Sequence, residues 1–289
     1  MRIGAIFPQT EIGSDPGGVR DYAQAVEAMG FTHILAFDHV IGADLTNRPD
    51  WKGPYNLDSG FHEPFVLFGY LAGVTETIEL TTGIIILPQR QTVLAAKQAA
   101  ALDVLSGGRL RLGIGLGWNE VEFEALNEEF GNRGSRAEEQ IELMRALWTE
   151  KSVDFRGKWH TVTEAGLNPM PVQQPIPLWM GGGASEHIQR RIARLADGWM
   201  PLIRPGDDGD EVLGRFRGYL QEYGRAADQF GIDGWVRVAS GDTDGAAAQV
   251  ESWRGHGATH VSVNTMGEGL SGAAAHIRRL EEFRAAVPA

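Results

Sequence analysis

The chain has 289 residues, 43% of them hydrophobic, with 38 acidic against 26 basic side chains for a formal charge of -12, and no cysteine. A field of that sign repels phosphate backbones, which excludes nucleic acid as a partner class, and without a thiol there is no disulfide framework, thiolate metal site or cysteine nucleophile. No run reaches the roughly 18 apolar residues of a membrane span, and the opening Met1-Arg2-Ile3-Gly4-Ala5-Ile6-Phe7-Pro8 meets proline too early for a signal-peptide core, so the expectation is a cytoplasmic protein with no membrane partner.

Residues 2–7 read as strand one. Val19, Tyr22, Val26 and Met29 then recur at three- and four-residue steps, the apolar face of a helix that Gly30 stops, and residues 31–37 read as strand two. Strand three is expected over 77–87, where the run Ile84-Ile85-Ile86-Leu87 suits a strand buried on both faces. Ala95, Ala99, Leu102 and Leu105 mark the apolar face of the next helix, which Gly107-Gly108 ends before strand four at 109–116. Ile141, Met144 and Trp148 mark a further helix. A hairpin at 153–161, turning at Arg156-Gly157-Lys158, and a proline-rich stretch at 169–177 then interrupt the repeat. Strands five to eight follow at 178–181, 198–201, 235–240 and 260–264, with helices at 185–195, 208–227, 243–254 and 271–287. Eight strands alternating with helices close more naturally into a barrel than into an open doubly wound sheet. The predicted fold is α/β, a (β/α)8 TIM barrel with insertions after strands two and four, forming one domain over 1–289.

In a barrel the active site lies where the strands run out into the following loops. Past strand two stand Asp38 and His39. The histidine can exchange a proton near neutral pH and the aspartate can fix its tautomer, or the pair is a turn cap beside a satisfied surface imidazole. Past strand four comes Gly113-Ile114-Gly115-Leu116-Gly117-Trp118-Asn119, and past strand five Gly181-Gly182-Gly183-Ala184-Ser185, each opening a helix. Such turns let a phosphate approach backbone amides at a helix start, or serve close packing alone. The first is not the dinucleotide fingerprint, since Trp118 stands where the third glycine belongs, and Glu120 and Glu122 are explained by the helix N-terminus that follows. A catalytic metal is not expected: strand one ends Phe7-Pro8-Gln9-Thr10 without a His-x-His pair. Walker and Gly-x-Ser-x-Gly motifs are absent. The insert at 42–61, with Trp51 and Tyr55, is either a lid that excludes water or a surface loop.

Taken together, Leu87-Pro88-Gln89-Arg90, Ala96-Lys97-Gln98, Asp103 to Arg109, Gly113 to Glu120, Asn132-Arg133-Gly134, Pro171 to Pro177, Gly181-Gly182-Gly183 and Ala196-Asp197-Gly198-Trp199 resemble the bacterial luciferase-like family, and within it the deazaflavin-dependent oxidoreductases. The resemblance covers nearly the whole chain, fading after about Pro205. It implies a β/α-barrel with an isoalloxazine-like ring at its C-terminal mouth, beside Asp38 and His39. Ile85 and Ile86 would sit where the family often has a non-proline cis peptide. Gly115, Gly117, Trp118 and Asn119, with Gly181, Gly182 and Gly183, would hold the phosphate-bearing chain of the cofactor, and His39 would be the catalytic acid/base. The implied cofactor is coenzyme F420, with hydride transfer to or from a small organic substrate. FMN, with a separate reductase and O2, is the alternative, and a cofactor-binding barrel without catalysis is the alternative of another class. A homodimer is implied as well. The sugar-phosphate dehydrogenases of this group carry glutamate where Trp118 stands, which argues against glucose 6-phosphate as the substrate.

Overall fold

The structure, a computed structural model, describes residues 1–204 and 206–287. Its centre is a closed ring of eight parallel staves. In chain order these are β1 (Arg2–Ile6), β2 (His33–Ala36), a third stave split into β3 (Glu79–Thr82) and β4 (Ile85–Ile86), and β5 (Leu110–Gly115). After a separate antiparallel hairpin of β6 (Val153–Arg156) and β7 (Thr161–Ala165) come β8 (Leu178–Gly182), β9 (Gly198–Pro201), β10 (Gly231–Arg237) and β11 (His260–Asn264). Pairing of β1 with β11 and of β3 with β5 closes the sheet on itself. Around it stand α1 (Pro16–Ala28), α2 (Pro64–Ala72), α3 (Thr92–Ser106), α4 (Glu120–Ala125), α5 (Arg133–Thr149), α6 (Glu186–Leu195), α7 (Asp207–Glu222), α8 (Thr243–Gly255) and α9 (Ala273–Ala286). The expected TIM barrel is present, with both insertions. Among the described residues no helix is long and apolar enough to cross a membrane.

Local chemistry accounts for the elements. The Asp15 carboxylate accepts from the amides of Gly17 and Gly18, and Pro16 fills a first-turn position that needs no donor, so α1 begins there. Its buried Tyr22 donates to the Ile6 carbonyl at 2.9 Å, which ties the helix to β1. α3 lies on alanines, with Ala95, Ala96, Ala99 and Ala100 buried, so its axis can approach the barrel closely. One predicted face residue is corrected: Leu105 is 73% exposed, and Ser106, four residues beyond Leu102, takes the inward position. α2 has no counterpart among the predicted elements. It starts at Pro64, capped by the Glu63 carboxylate on the Val66 amide at 2.8 Å.

Two strands depart from expectation. The third stave is broken at Gly83, where a Cβ would stand 2.2 Å from the Leu35 side chain, so only glycine fits the bend. The cis peptide lies between Gly83 and Ile84, not at Ile85–Ile86 as the resemblance implied. β10 begins at Gly231 rather than at 235, hidden from a hydrophobic reading by glycines and an aspartate. A Cβ on Gly231 would meet Trp179 at 2.1 Å and one on Gly234 would meet Trp253 at 2.3 Å, so large neighbours enforce both glycines. Asp233 between them faces the barrel interior.

That interior has two layers. Toward the N-terminal ends of the staves, Arg111 bonds Asp233 (3.0 Å) and Glu79 (2.6 Å), while His33 meets the Ser262 hydroxyl (2.8 Å), which itself donates to Asp233 (2.9 Å). Burial opposes ionisation of both carboxylates, yet Arg111 and then His33 outweigh it, holding Glu79 down to about 2 and Asp233 well below the usual range. Burial and the Arg111 charge push His260 down to about 3, so it is neutral. Above this layer Ile6, Leu35, Phe37, Met200 and Met266 form an apolar floor.

Candidate active site

Beyond that floor, the C-terminal ends of the staves open into a cavity of ≈1070 Å³. Small-ligand clefts commonly run to about 300–1,000 Å³, so this one has room for a cofactor and a second molecule. Asp38, His39, Ile86, Gly115, Gly117, Trp118, Asn119, Gly181, Gly182 and Gly183 all line it. Ile85 does not. Side chains alternate along a strand, and Ile85 turns into the apolar core behind β4.

The glycines divide into two kinds. A Cβ on Gly115 would lie 2.4 Å from Ile84 Cδ1 and one on Gly181 would lie 2.9 Å from Ile84 Cγ2, so Ile84 is wedged between the two turns and joins them. Gly182 is likewise pressed by Ile188, and Gly117, at φ 77°, by Ile86 and Phe123. At these four positions close packing accounts for the residue type. Gly183 differs: a Cβ there would meet nothing within 4 Å, which leaves its backbone bordering open space at the start of α6.

His39 is held from one side. Its Nδ1 lies 2.9 Å from a Glu122 carboxylate oxygen. A carboxylate only accepts, so Nδ1 donates and Nε2 of the neutral ring keeps its lone pair. Glu122 is fully buried and also accepts from the Val40 amide (3.0 Å) and the Gln89 side chain (3.0 Å). Burial opposes its ionisation, but the bonds from His39 and Gln89 prevail and hold it below the ordinary carboxylate range. Tyr55 and Phe61 meet the His39 ring at 4.7 and 4.8 Å between centroids, and Trp118 at 5.8 Å.

The Asp38 carboxylate does not hydrogen-bond His39. Its two oxygens accept from the Ile86 amide (2.9 Å) and from Arg90 (2.8 Å), so it braces the broken third stave. Burial pushes its carboxyl up, against the pull of Arg90. The insert at 42–61 proves to be part of the wall: the Leu57 amide donates to the Ala43 carbonyl (2.9 Å), closing a loop whose Trp51 packs on Trp118 at 5.7 Å. A Cβ on Gly53 would stand 2.3 Å from the Trp118 ring.

Sequence reasoning missed Glu122, taking it for a helix-start charge. The available signal was its place beside Phe123, both on the inward face of α4, which the cap at Asn119 orients. Arg191 of α6 was missed as well. It lines the cavity and pairs with Glu138 at 2.8 Å. Among the described residues no group of three His, Asp or Glu side chains could hold a metal ion.

The eight-stave barrel opens one large, mainly apolar cavity at the C-terminal ends of its staves, the place where barrel enzymes carry their active sites. The chain belongs to the luciferase-like monooxygenase family, whose model matches residues 2–286, and that family's members are oxidoreductases. The uncharacterized protein Rv0940c of Mycobacterium tuberculosis is 33% identical over 234 residues, covering 75% of this chain and 79% of that protein. An FMNH(2)-dependent dimethylsulfone monooxygenase of Pseudomonas putida is 30% identical over 62% of this chain and 46% of its own. An F420-dependent glucose-6-phosphate dehydrogenase of Segniliparus rotundus is 29% identical over 78% of this chain and 68% of its own. Among solved structures, monooxygenase RslO1 from Streptomyces bottropensis superposes with a TM-score of 0.81 at 18% identity, covering 99% of this chain and 98% of that one. An F420-dependent secondary alcohol dehydrogenase does so with a TM-score of 0.76 at 16% identity, over 98% and 99%. Both likenesses establish the fold.

Proposed function

We propose that this protein is a deazaflavin (coenzyme F420)-dependent oxidoreductase that moves hydride between the cofactor and a small organic substrate, with His39 as the acid/base. The observation that carries the reading is the Glu122-oriented His39 on the wall of one cavity that also receives both glycine turns. The site fits such a cofactor: Gly183 leaves its backbone open to the cavity where α6 presents its amide-rich end, and Arg191 stands on the same wall. Gly183 and Arg191 would hold the phosphate-bearing chain, while Ile86, Leu116 and Trp118 would bound the ring. When bound, a deazaflavin supplies hydride transfer with little reactivity toward oxygen.

The chain's own part is orientation and proton traffic. Glu122 keeps Nδ1–H of His39 bonded, so Nε2 is the atom that takes or returns a proton at a substrate oxygen. Trp51, Tyr55 and Trp118 exclude water from that end of the cavity. The Pseudomonas putida relative supports a second reading, an FMN-dependent monooxygenase fed by a separate reductase. A homodimer belongs to the same proposal and is supported by the exposed Val66 and Tyr70 of α2 beside Val93 and Leu94 of α3.

Titration of the purified protein with oxidised F420 and, separately, FMN tests the cofactor by spectral perturbation. Saturable F420 binding that survives His39→Ala, with turnover lost, is the expected result. A strong preference for FMN favours the monooxygenase reading, and tight binding without turnover on a broad panel favours a non-catalytic barrel.

A further inference from the structure

Resting on that reading, we infer that the substrate is an uncharged, largely apolar molecule whose one oxygen is met by His39 and Tyr55.

The charges on the cavity wall fall into two sets. Asp38 is held by Arg90 at 2.8 Å, and Arg191, paired with Glu138 at 2.8 Å, is assigned to the phosphate-bearing chain of the cofactor. Asp50, Lys52 and Glu120 are exposed, and water solvates them at the rim. Between these sets the wall is Phe37, Trp51, Trp118, Met180, Met200 and Trp235, with Phe37 and Trp235 at 5.4 Å between ring centroids. A carboxylate or phosphate placed there would lose its hydration, and among the described residues lining the cavity the cation left for it is Lys52, exposed at the rim, so the apolar walls cannot offset the penalty. Several polar groups of the wall are uncommitted to the protein. One is Nε2 of His39, whose partner nitrogen is taken by Glu122. Another is the Tyr55 hydroxyl, which has no protein partner among the described residues and which burial keeps protonated, and a third is the indole Nε1 of Trp235, buried and likewise without a partner among the described residues. Tyr55 meets His39 at 4.7 Å between ring centroids, so one substrate oxygen can accept from the phenol while exchanging a proton with the imidazole. The cover is aromatic too, since Trp51 packs on Trp118 and Gly53 leaves no gap against that ring. A flat or alicyclic body suits such walls better than a hydrated, many-hydroxyl sugar.

A matched pair of probes isolates the charge. The probes are 4-phenylcyclohexanone and the same skeleton with a carboxylate on the phenyl ring, each titrated into the full-length protein and followed by tryptophan fluorescence. The expected result is binding of the neutral ketone at least tenfold tighter than the carboxylate, with Trp118→Glu removing that advantage while circular dichroism stays native. Equal or tighter binding of the carboxylate overturns the inference, as does the absence of saturable ketone binding up to its solubility. The cofactor is measured separately through F420 absorbance. F420 binding with carboxylate preference sinks this inference alone, whereas ketone binding without F420 binding sinks the proposed function alone.

Discussion

His39 depends on Glu122 for its direction, and Glu122 depends on burial for its strength. Its carboxylate, fully buried, accepts three bonds, from His39, the Val40 amide and Gln89. Glu122→Ala should strand those donors and destabilise the protein by about 2–4 kcal/mol, read as a lowered urea midpoint. Glu122→Gln should keep the fold and lower kcat by about 10–100-fold, the usual scale for losing an orienting partner. Unchanged kcat in Glu122→Gln would show that His39 needs no such support. Gly183 offers the complementary test at the other end of the cavity. Because a Cβ there meets open space, Gly183→Val should leave the melting temperature within a degree or two while weakening cofactor binding at least tenfold. Gly181→Ala should instead lower the melting temperature, since its methyl would press on Ile84.

Among the elements, a strand that reads clearly is β8, where Leu178, Trp179 and Met180 run consecutively. Those that misled carry chemistry inside the barrel. β10 reads GIDGWVR because Gly231 and Gly234 yield space to Trp179 and Trp253, and Asp233 faces Arg111. None of these neighbours is close in sequence, so no local pattern announces the strand. The break at Gly83 has the same origin, a contact with Leu35 across the sheet. The site was legible in part for the same reason. His39 and the glycine turns follow strands and were found by position, whereas Glu122 becomes significant only when α4 folds back toward β2. Asp233→Ala should leave Arg111 with Glu79 alone and the Ser262 hydroxyl without its acceptor, costing about 2–4 kcal/mol, measured by urea denaturation. A loss under about 1 kcal/mol would mean that the polar layer contributes little to holding β5 and β10 together.

At the scale of the molecule, neutral buried histidines set the response to acid. His260 is pushed down to about 3 by burial and Arg111, and His276 to about 4 by burial and Arg279. A histidine lowered in the folded state contributes fully above its unfolded value near 6.5, and that contribution is lost as pH falls below it, because the unfolded chain then binds more protons. Each should cost about 2 kcal/mol at pH 5. Glu79, held at about 2, loses its share only below the usual carboxylate range. Melting temperature should therefore stay flat above neutrality and drop steadily between pH 6.5 and 4. A flat profile across that window would mean that both imidazoles protonate freely in the fold.

The whole assembly has one purpose on this account: the broken third stave, the two glycine turns and His39 surround a single space for a planar redox ring. A crystal structure of the protein soaked with oxidised F420 measures that directly. The expected result is ring density beside Ile86 and Trp118, with the phosphate-bearing chain running toward Gly183 and Arg191. Density elsewhere on the barrel, or a ring separated from His39 by intact protein side chains, would contradict it.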